Sequence, residues 1–161
     1  MSDPVWNAIA TKRAVRRFAD RPLEPAHLER ILDAGRHSGS SKNQQRWTFV
    51  VCRDRAHLAE LAAVGPWAGH LAGAAVAVAL VIPNPATAEA PLSILFDLGQ
   101  AAQNMMLAAW ELGIGSVPAT VYEHDLVRRL LGYPADPADL SRPPRAGGRR
   151  RLDEIVREER W

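Results

Sequence analysis

The chain has 161 residues, 47% of them hydrophobic and 24% charged, with a formal net charge of +2 at pH 7. That length suits one domain able to bury roughly 70% of the surface its unfolded chain exposes, and the composition excludes a fibrous repeat or wholesale disorder. So small a net charge gives no general attraction to nucleic acid, and the lone cysteine, Cys52, can form no internal disulfide.

The first helix is expected to start at Ser2 or Asp3 as N-cap with Pro4 at N1, to carry Val5 and Ile9 on one face, and to end near the basic run Lys12-Arg13-Ala14-Val15-Arg16-Arg17. A second helix begins at Pro25, carries Leu28, Ile31 and Leu32 on one stripe, and has Gly35 as its stop signal. The β-branched and aromatic run from Trp47 to Cys52 predicts a strand that buries the thiol as a packing group. A short helix over residues 57–64 follows, closed by Gly65-Pro66.

Residues 74–82, AAVAVALVI, form a continuous apolar run that suits a strand covered on both faces, so the sheet should have layers on both sides. Residues 92–112 read as a long helix with Leu95, Ala102, Met106, Ala109 and Leu112 along one side and Gly113 as C-cap; Gly99 inside it suggests a close approach. Residues 116–121, which include Pro118, are a third strand candidate at an edge. A last helix over residues 124–131 stops at Gly132. Beyond it, residues 133–161 read as an extended tail whose late apolar residues, Leu152, Ile155, Val156 and Trp161, suggest docking on a partner subunit.

Familiar sites are missing. There is no phosphate-binding G-x-x-x-x-G-K-[ST] loop, no G-x-S-x-G elbow and no H-E-x-x-H helix, and the scattered histidines give no zinc spacing, so no metal is expected. Gly113-Ile114-Gly115 follows a helix and precedes a strand candidate, the reverse of the dinucleotide-binding order. No apolar stretch is long enough to cross a bilayer and no signal core opens the chain, so a membrane-free, cytoplasmic protein is expected.

Four segments, taken in order, resemble the nitroreductase family. Lys12-Arg13-Ala14-Val15-Arg16-Arg17-Phe18 is similar to that family's R-R-S-V-R-x-F, and Ser40-Ser41-Lys42-Asn43-Gln44-Gln45-Arg46-Trp47 to its S-S-x-N-x-Q-P-W. Asp97-Leu98-Gly99 through Gln103-Asn104 to Gly113-Ile114-Gly115-Ser116 resembles its long central helix and following loop, and Gly148-Arg149-Arg150-Arg151-Leu152-Asp153-Glu154-Ile155-Val156 its tail. The resemblance implies one α+β domain over residues 1–161, a three-layer fold with a central mixed or antiparallel sheet flanked by helices. It also implies an FMN-dependent enzyme passing hydride from NADH or NADPH to a small acceptor such as a nitro compound or quinone. The flavin would lie at the interface of a homodimer wrapped by the tail.

On that resemblance Lys12, Arg13, Arg16 and the tail residue Arg149 would hold the FMN phosphate, which needs charged donors, with Ala14 in the same cofactor-binding segment. Ser40, Ser41 and Asn43 would reach the partner subunit's flavin, and Gly113, Ile114 and Gly115 would lay backbone against its ring, where side chains would block approach. Each has a plainer alternative: solvated basic surface, a polar loop capping the second helix, and an ordinary helix C-cap. No obligatory catalytic side chain is expected, because flavin chemistry asks the protein for binding and orientation. The chain departs from the family at Ala14, usually serine, at Arg46, usually proline, and at Gly147, lysine in some members. It also joins Leu131-Gly132 directly to Tyr133-Pro134 without the dozen residues that usually supply a further strand, which implies unpaired backbone groups or a new sheet edge and a shifted reach of the tail. A flavin-binding protein without efficient turnover and a basic nucleic-acid-binding module are the competing functions.

Overall fold

The computed structural model describes residues 3–88, 91–134 and 148–161. Helix α1 (Pro4–Thr11) begins as expected, with Pro4 in the first turn and the Asp3 carboxylate accepting from the Trp6 N–H at 3.1 Å. Helix α2 (Pro25–Arg36) buries Leu28, Ile31, Leu32 and Gly35. Gly35 does not stop the helix. A Cβ there would lie 2.8 Å from Met105 Cγ, so this glycine serves close packing, and the helix runs on to Arg36.

Strand β1 (Thr48–Cys52) is buried along its whole length because it is central and contacted on both faces. After it come α3 (Arg55–Leu61), whose first turn is capped by Asp54 accepting from the His57 N–H at 2.9 Å, and β2 (Ala77–Val81), antiparallel to β1 in the register Thr48↔Val81 to Cys52↔Ala77. Helix α4 (Pro91–Glu111) crosses one face of the molecule and α5 (His124–Leu131) ends at Gly132, whose φ of +69° makes the left-handed stop that glycine allows. The chain returns through a single turn, α6 (Leu152–Ile155), into β3 (Val156–Glu158), which runs parallel to β1 with Phe49↔Val156 and Val51↔Glu158.

The sheet is mixed, in the order β2-β1-β3, and lies between two apolar layers. Phe49 and Val51 point into one, with Leu28, Ile31 and Leu32 of α2 and Ala101, Met105 and Ala109 of α4. Val50 and Cys52 point into the other, with Leu58 and Leu61 of α3 and Val127 and Leu131 of α5. The three-layer α+β fold expected from the sequence is therefore present. No helix among the described residues is long and apolar enough to cross a membrane.

Other expectations need correction. Residues 116–121 form no strand: their ladder is one parallel bridge, Ala14↔Ser116, since Pro118 has no N–H to extend it. Strand β2 is only half covered up to Val81, because among the described residues it has no second neighbour, the open edge that the shortening near Gly132 implied. On α4 the buried positions are Ile94, Asp97, Ala101, Met105 and Ala109, so the stripe expected at Leu95, Ala102 and Met106 is displaced by one residue. Gly99 approaches nothing within 4 Å in the single chain. The tail's apolar end packs within the chain: Ile155 is fully buried, β3 pairs with β1, and the Trp161 N–H donates to the Leu131 carbonyl at 2.7 Å. Residues 135–147 of the tail, with the basic positions Arg142 and Arg145 and with Gly147, lie outside the described residues.

Candidate functional site

The predicted residues fall into two groups on opposite ends of α4. In the first, α4 closes on Gly113, at φ +72°, with the Ile114 N–H donating back to the Ala109 carbonyl at 2.9 Å. The following residues lie along the basic segment, where the Val15 N–H donates to the Ser116 carbonyl at 3.1 Å. Gly115 permits this contact, since a Cβ there would come within 2.7 Å of the Val15 side chain. Gly113 is thus the C-cap of α4, and Gly115 makes a close approach to Val15.

Lys12 caps α1 half-buried, with Nζ 3.5 Å from Met106 Sδ, a weak acceptor. Among the described residues the Arg13 guanidinium donates to the carbonyls of Ala10 and Lys12, at 3.1 and 3.0 Å. Arg16 is exposed, and among the described residues no carboxylate pairs with Lys12, Arg13 or Arg16. Cations gathered without counter-ions beside a glycine loop make a positive potential suited to an anion.

The second group is the loop 40–45. The Ser40 hydroxyl accepts from the Gln45 N–H at 3.0 Å, and the Ser41 N–H donates to the buried carboxylate of Asp97 at 3.0 Å. Lys42, Asn43 and Gln45 have φ of +52°, +54° and +49°. Such left-handed backbone at non-glycine residues persists only where neighbours over-determine it. Here the Asn43 amide donates to the Gly148 carbonyl at 3.0 Å while its oxygen accepts from Arg149 Nη1 at 3.0 Å, and Arg149 Nη2 donates to the His37 carbonyl at 3.2 Å.

Arg149 therefore sits with the serine-asparagine loop and, within one chain, not with Lys12, Arg13 and Arg16. Its guanidinium is drawn to the carbonyl end of α2, where cations are favoured. Asp97 and Met106, which touch the two groups, are nine residues apart on α4, about 14 Å along a helix axis. Clefts of about 320 and 360 Å³ lie elsewhere, around His57 and Arg129 and around Arg21 and Arg55, and none of the predicted residues lines either.

Two buried polar residues in this region, Gln45 and Asp97, have no role implied by the resemblance; the charge of Asp97 inside an apolar helix is a signal, whereas Gln45 lies in a polar run that gives none. Cys52 behaves as the packing group expected. Burial first, and the negative charges of Glu159 and Glu158 after it, push its thiol up to about 12. Its Sγ lies within 4.8 Å of ligand atoms of His57 and Glu159; the thiol donates to the Glu159 carbonyl at 3.7 Å and His57 Nδ1 is hydrogen-bonded to the Glu159 carboxylate at 2.9 Å, so these contacts anchor the C-terminal residues.

A family profile described as the nitroreductase family matches residues 9–141. An Archaeoglobus fulgidus protein carrying the name NADH dehydrogenase/NAD(P)H nitroreductase is 34% identical over 131 residues, covering 78% of this chain and 75% of its own. Among solved structures, one of the same name from Parabacteroides distasonis is 28% identical with a TM-score of 0.76, over 83% of this chain and 80% of its own. A nitroreductase-type protein of Desulfovibrio desulfuricans, solved in complex with FMN, is 28% identical with a TM-score of 0.73 and is matched over 100% of this chain and 99% of its own. With the profile spanning most of its length and the fold agreeing, this chain belongs to the nitroreductase family.

Proposed function

We propose that the protein is an FMN-dependent oxidoreductase that takes hydride from NADH or NADPH and delivers it to a small acceptor such as a nitro compound or quinone. The observation that carries this reading is the run of cations Lys12, Arg13 and Arg16, which pair with no carboxylate among the described residues and whose segment is held beside the Gly113–Gly115 loop by the Val15–Ser116 hydrogen bond. The donor set fits a phosphate: each charge-assisted hydrogen bond to such a dianion contributes on the order of 1.5 to 3 kcal/mol. The length of the chain is no obstacle, since the Desulfovibrio protein solved with FMN is matched over nearly its whole length.

FMN, when bound, supplies a ring that accepts and returns hydride. The chain's own residues bind and orient. Lys12, Arg13 and Arg16 fix the phosphate end, Gly113, Ile114 and Gly115 offer backbone to the ring, and Ser41, whose hydroxyl has no partner among the described residues, is free to bond its polar edge. No side chain is asked to move a proton.

The same proposal includes a cytoplasmic homodimer. The loop 40–45 with Arg149 sits at the Asp97 end of α4, apart from Lys12 at Met106, and is assigned to the site of a second copy. Val5, Trp6 and Ile9 of α1 and Leu92, Leu95 and Phe96 of α4 are large exposed apolar residues flanking these groups, with Leu92 82% exposed and Phe96 70%.

A second reading, flavin binding without efficient turnover, is favoured by the open edge of β2. The visible spectrum of purified protein separates the two. Flavin absorbance bleached by NADH or NADPH supports the reductase, absorbance without bleaching the second reading, and a colourless protein binding nucleic acid in a salt-sensitive way overturns both.

A further inference from the structure

We propose that Gln45 is the positioning residue that joins the loop 40–45 to Arg149, so that loop and tail enter the cofactor site as one unit. The proposal rests on the reading that this loop and Arg149 face FMN. Gln45 is only 2% exposed, a polar side chain in a place that must satisfy every donor and acceptor it has.

It does so by spanning the two segments. Its carbonyl oxygen accepts from the Arg150 N–H at 2.7 Å, and its amide nitrogen donates to the Gly148 carbonyl at 3.1 Å and to Asn43 Oδ1 at 3.0 Å. Its own backbone carbonyl accepts from the Arg150 guanidinium at 3.3 Å and its N–H donates to the Ser40 hydroxyl at 3.0 Å. Asn43 Oδ1 is thus a shared acceptor, taking one bond from Gln45 and one from Arg149 Nη1. The residues on either side of Arg149 in the chain are both held by Gln45, and the guanidinium between them is held by Asn43.

Only a primary amide serves here. A carboxylate would set an oxygen against the Gly148 carbonyl and Asn43 Oδ1, and an apolar side chain would remove the Gln45 acceptor of the Arg150 N–H and leave Asn43 alone to hold the Gly148 carbonyl. The left-handed φ of +49° at Gln45 and +54° at Asn43 is the backbone cost of aiming both amides at the tail. Asp97, by holding the Ser41 N–H, fixes the other end of the loop to α4.

The consequence is that selectivity for FMN over riboflavin depends on Gln45, which itself need not touch the cofactor. The test measures FMN and riboflavin dissociation constants for the full-length protein and for Gln45→Met, Arg149→Ala and the double variant. Hydrogen exchange of the flavin-free protein at residues 40–45 and 148–151 is recorded beside them. Gln45→Met is expected to lower the FMN preference about tenfold, as loss of one charge-assisted bond would. Arg149→Ala should do the same, the double variant no more than either, and exchange should rise in both segments together. Should Gln45→Met not fold, Asn43→Ala cuts the same link at its shared acceptor and is read in the same way.

Equal weakening of FMN and riboflavin, multiplicative loss in the double variant, or exchange unchanged at 148–151 overturns the inference. If exchange is linked but Arg149→Ala leaves the FMN preference intact, the joint between loop and tail stands and the phosphate reading of Arg149 falls.

Discussion

Glycine 35 and glycine 99 each lie inside a helix, yet their surroundings call for opposite responses to an added methyl group. At Gly35 a Cβ would meet Met105 Cγ at 2.8 Å, Met105 Sδ at 2.9 Å and Phe49 Cζ at 3.2 Å. Overpacking costs about 1 to 3 kcal/mol and alanine returns up to about 1 in helix propensity, so Gly35→Ala should destabilise by about 1 kcal/mol, read as a lower urea midpoint. At Gly99 nothing lies within 4 Å, and the same change should stabilise an isolated chain by up to about 1 kcal/mol. If the proposed subunit face includes this turn of α4, Gly99→Ala instead weakens dimerisation, measurable as a dilution midpoint. Cys52 offers a third expectation at this scale. With no exposed surface and a thiol held up near 12, it should resist alkylation at pH 8 in the native protein and react at an ordinary rate in denaturant.

At the scale of elements, the C-terminal strand β3 depends on a small set of contacts. Ile155 is fully buried between α2 and the sheet, so Ile155→Ala should cost about 2 to 5 kcal/mol in equilibrium unfolding. Glu159, at φ +59°, accepts from the backbone N–H groups of Arg53 and Asp54 at 2.7 and 3.0 Å and from His57 at 2.9 Å. Burial alone would raise its carboxyl, but these hydrogen bonds outweigh that effect and hold it below its usual value of 4.5. A carboxyl depressed in the folded state contributes stability that is fully present above its unfolded value and is lost as pH falls through the folded one. The difference in urea midpoint between the native protein and Glu159→Gln should therefore be constant from pH 7 to about pH 5 and shrink in more acidic solution. A difference unchanged at pH 3 would show that the carboxylate charge contributes nothing to holding β3.

For the whole molecule, the separation of the two predicted site groups along α4 is the feature with most consequence. If a second copy completes the site, Phe96→Glu should yield a monomer in light scattering and lose flavin with it, while the fold, judged by far-ultraviolet circular dichroism, persists because Phe96 is exposed in the single chain. A monomeric variant that retains FMN would refute the shared site. Much of this architecture was legible beforehand. Pro25 and the Leu28-Ile31-Leu32 spacing announce α2, the β-branched run announces β1, and Gly132 announces the end of α5, because proline, glycine and side-chain periodicity act through local sterics. The motif residues also disclosed the family. What local rules left open was decided by packing. Helix α4 has large apolar residues at Leu92, Ile94, Leu95 and Phe96, on more than one face, so periodicity could not choose its inner stripe; α2 and the Asp97–Ser41 bond chose it. Residues 116–121 look like a strand until Pro118 and the single bridge to Ala14 are considered, and Arg149 looks like a partner for Arg16 until His37 and Asn43 claim its guanidinium. Composition and spacing determine which residues can be buried or charged together, but a hydrogen bond between residues 43 and 149 exists only once 106 positions of chain have folded back, and that closure is a property of the tertiary structure alone.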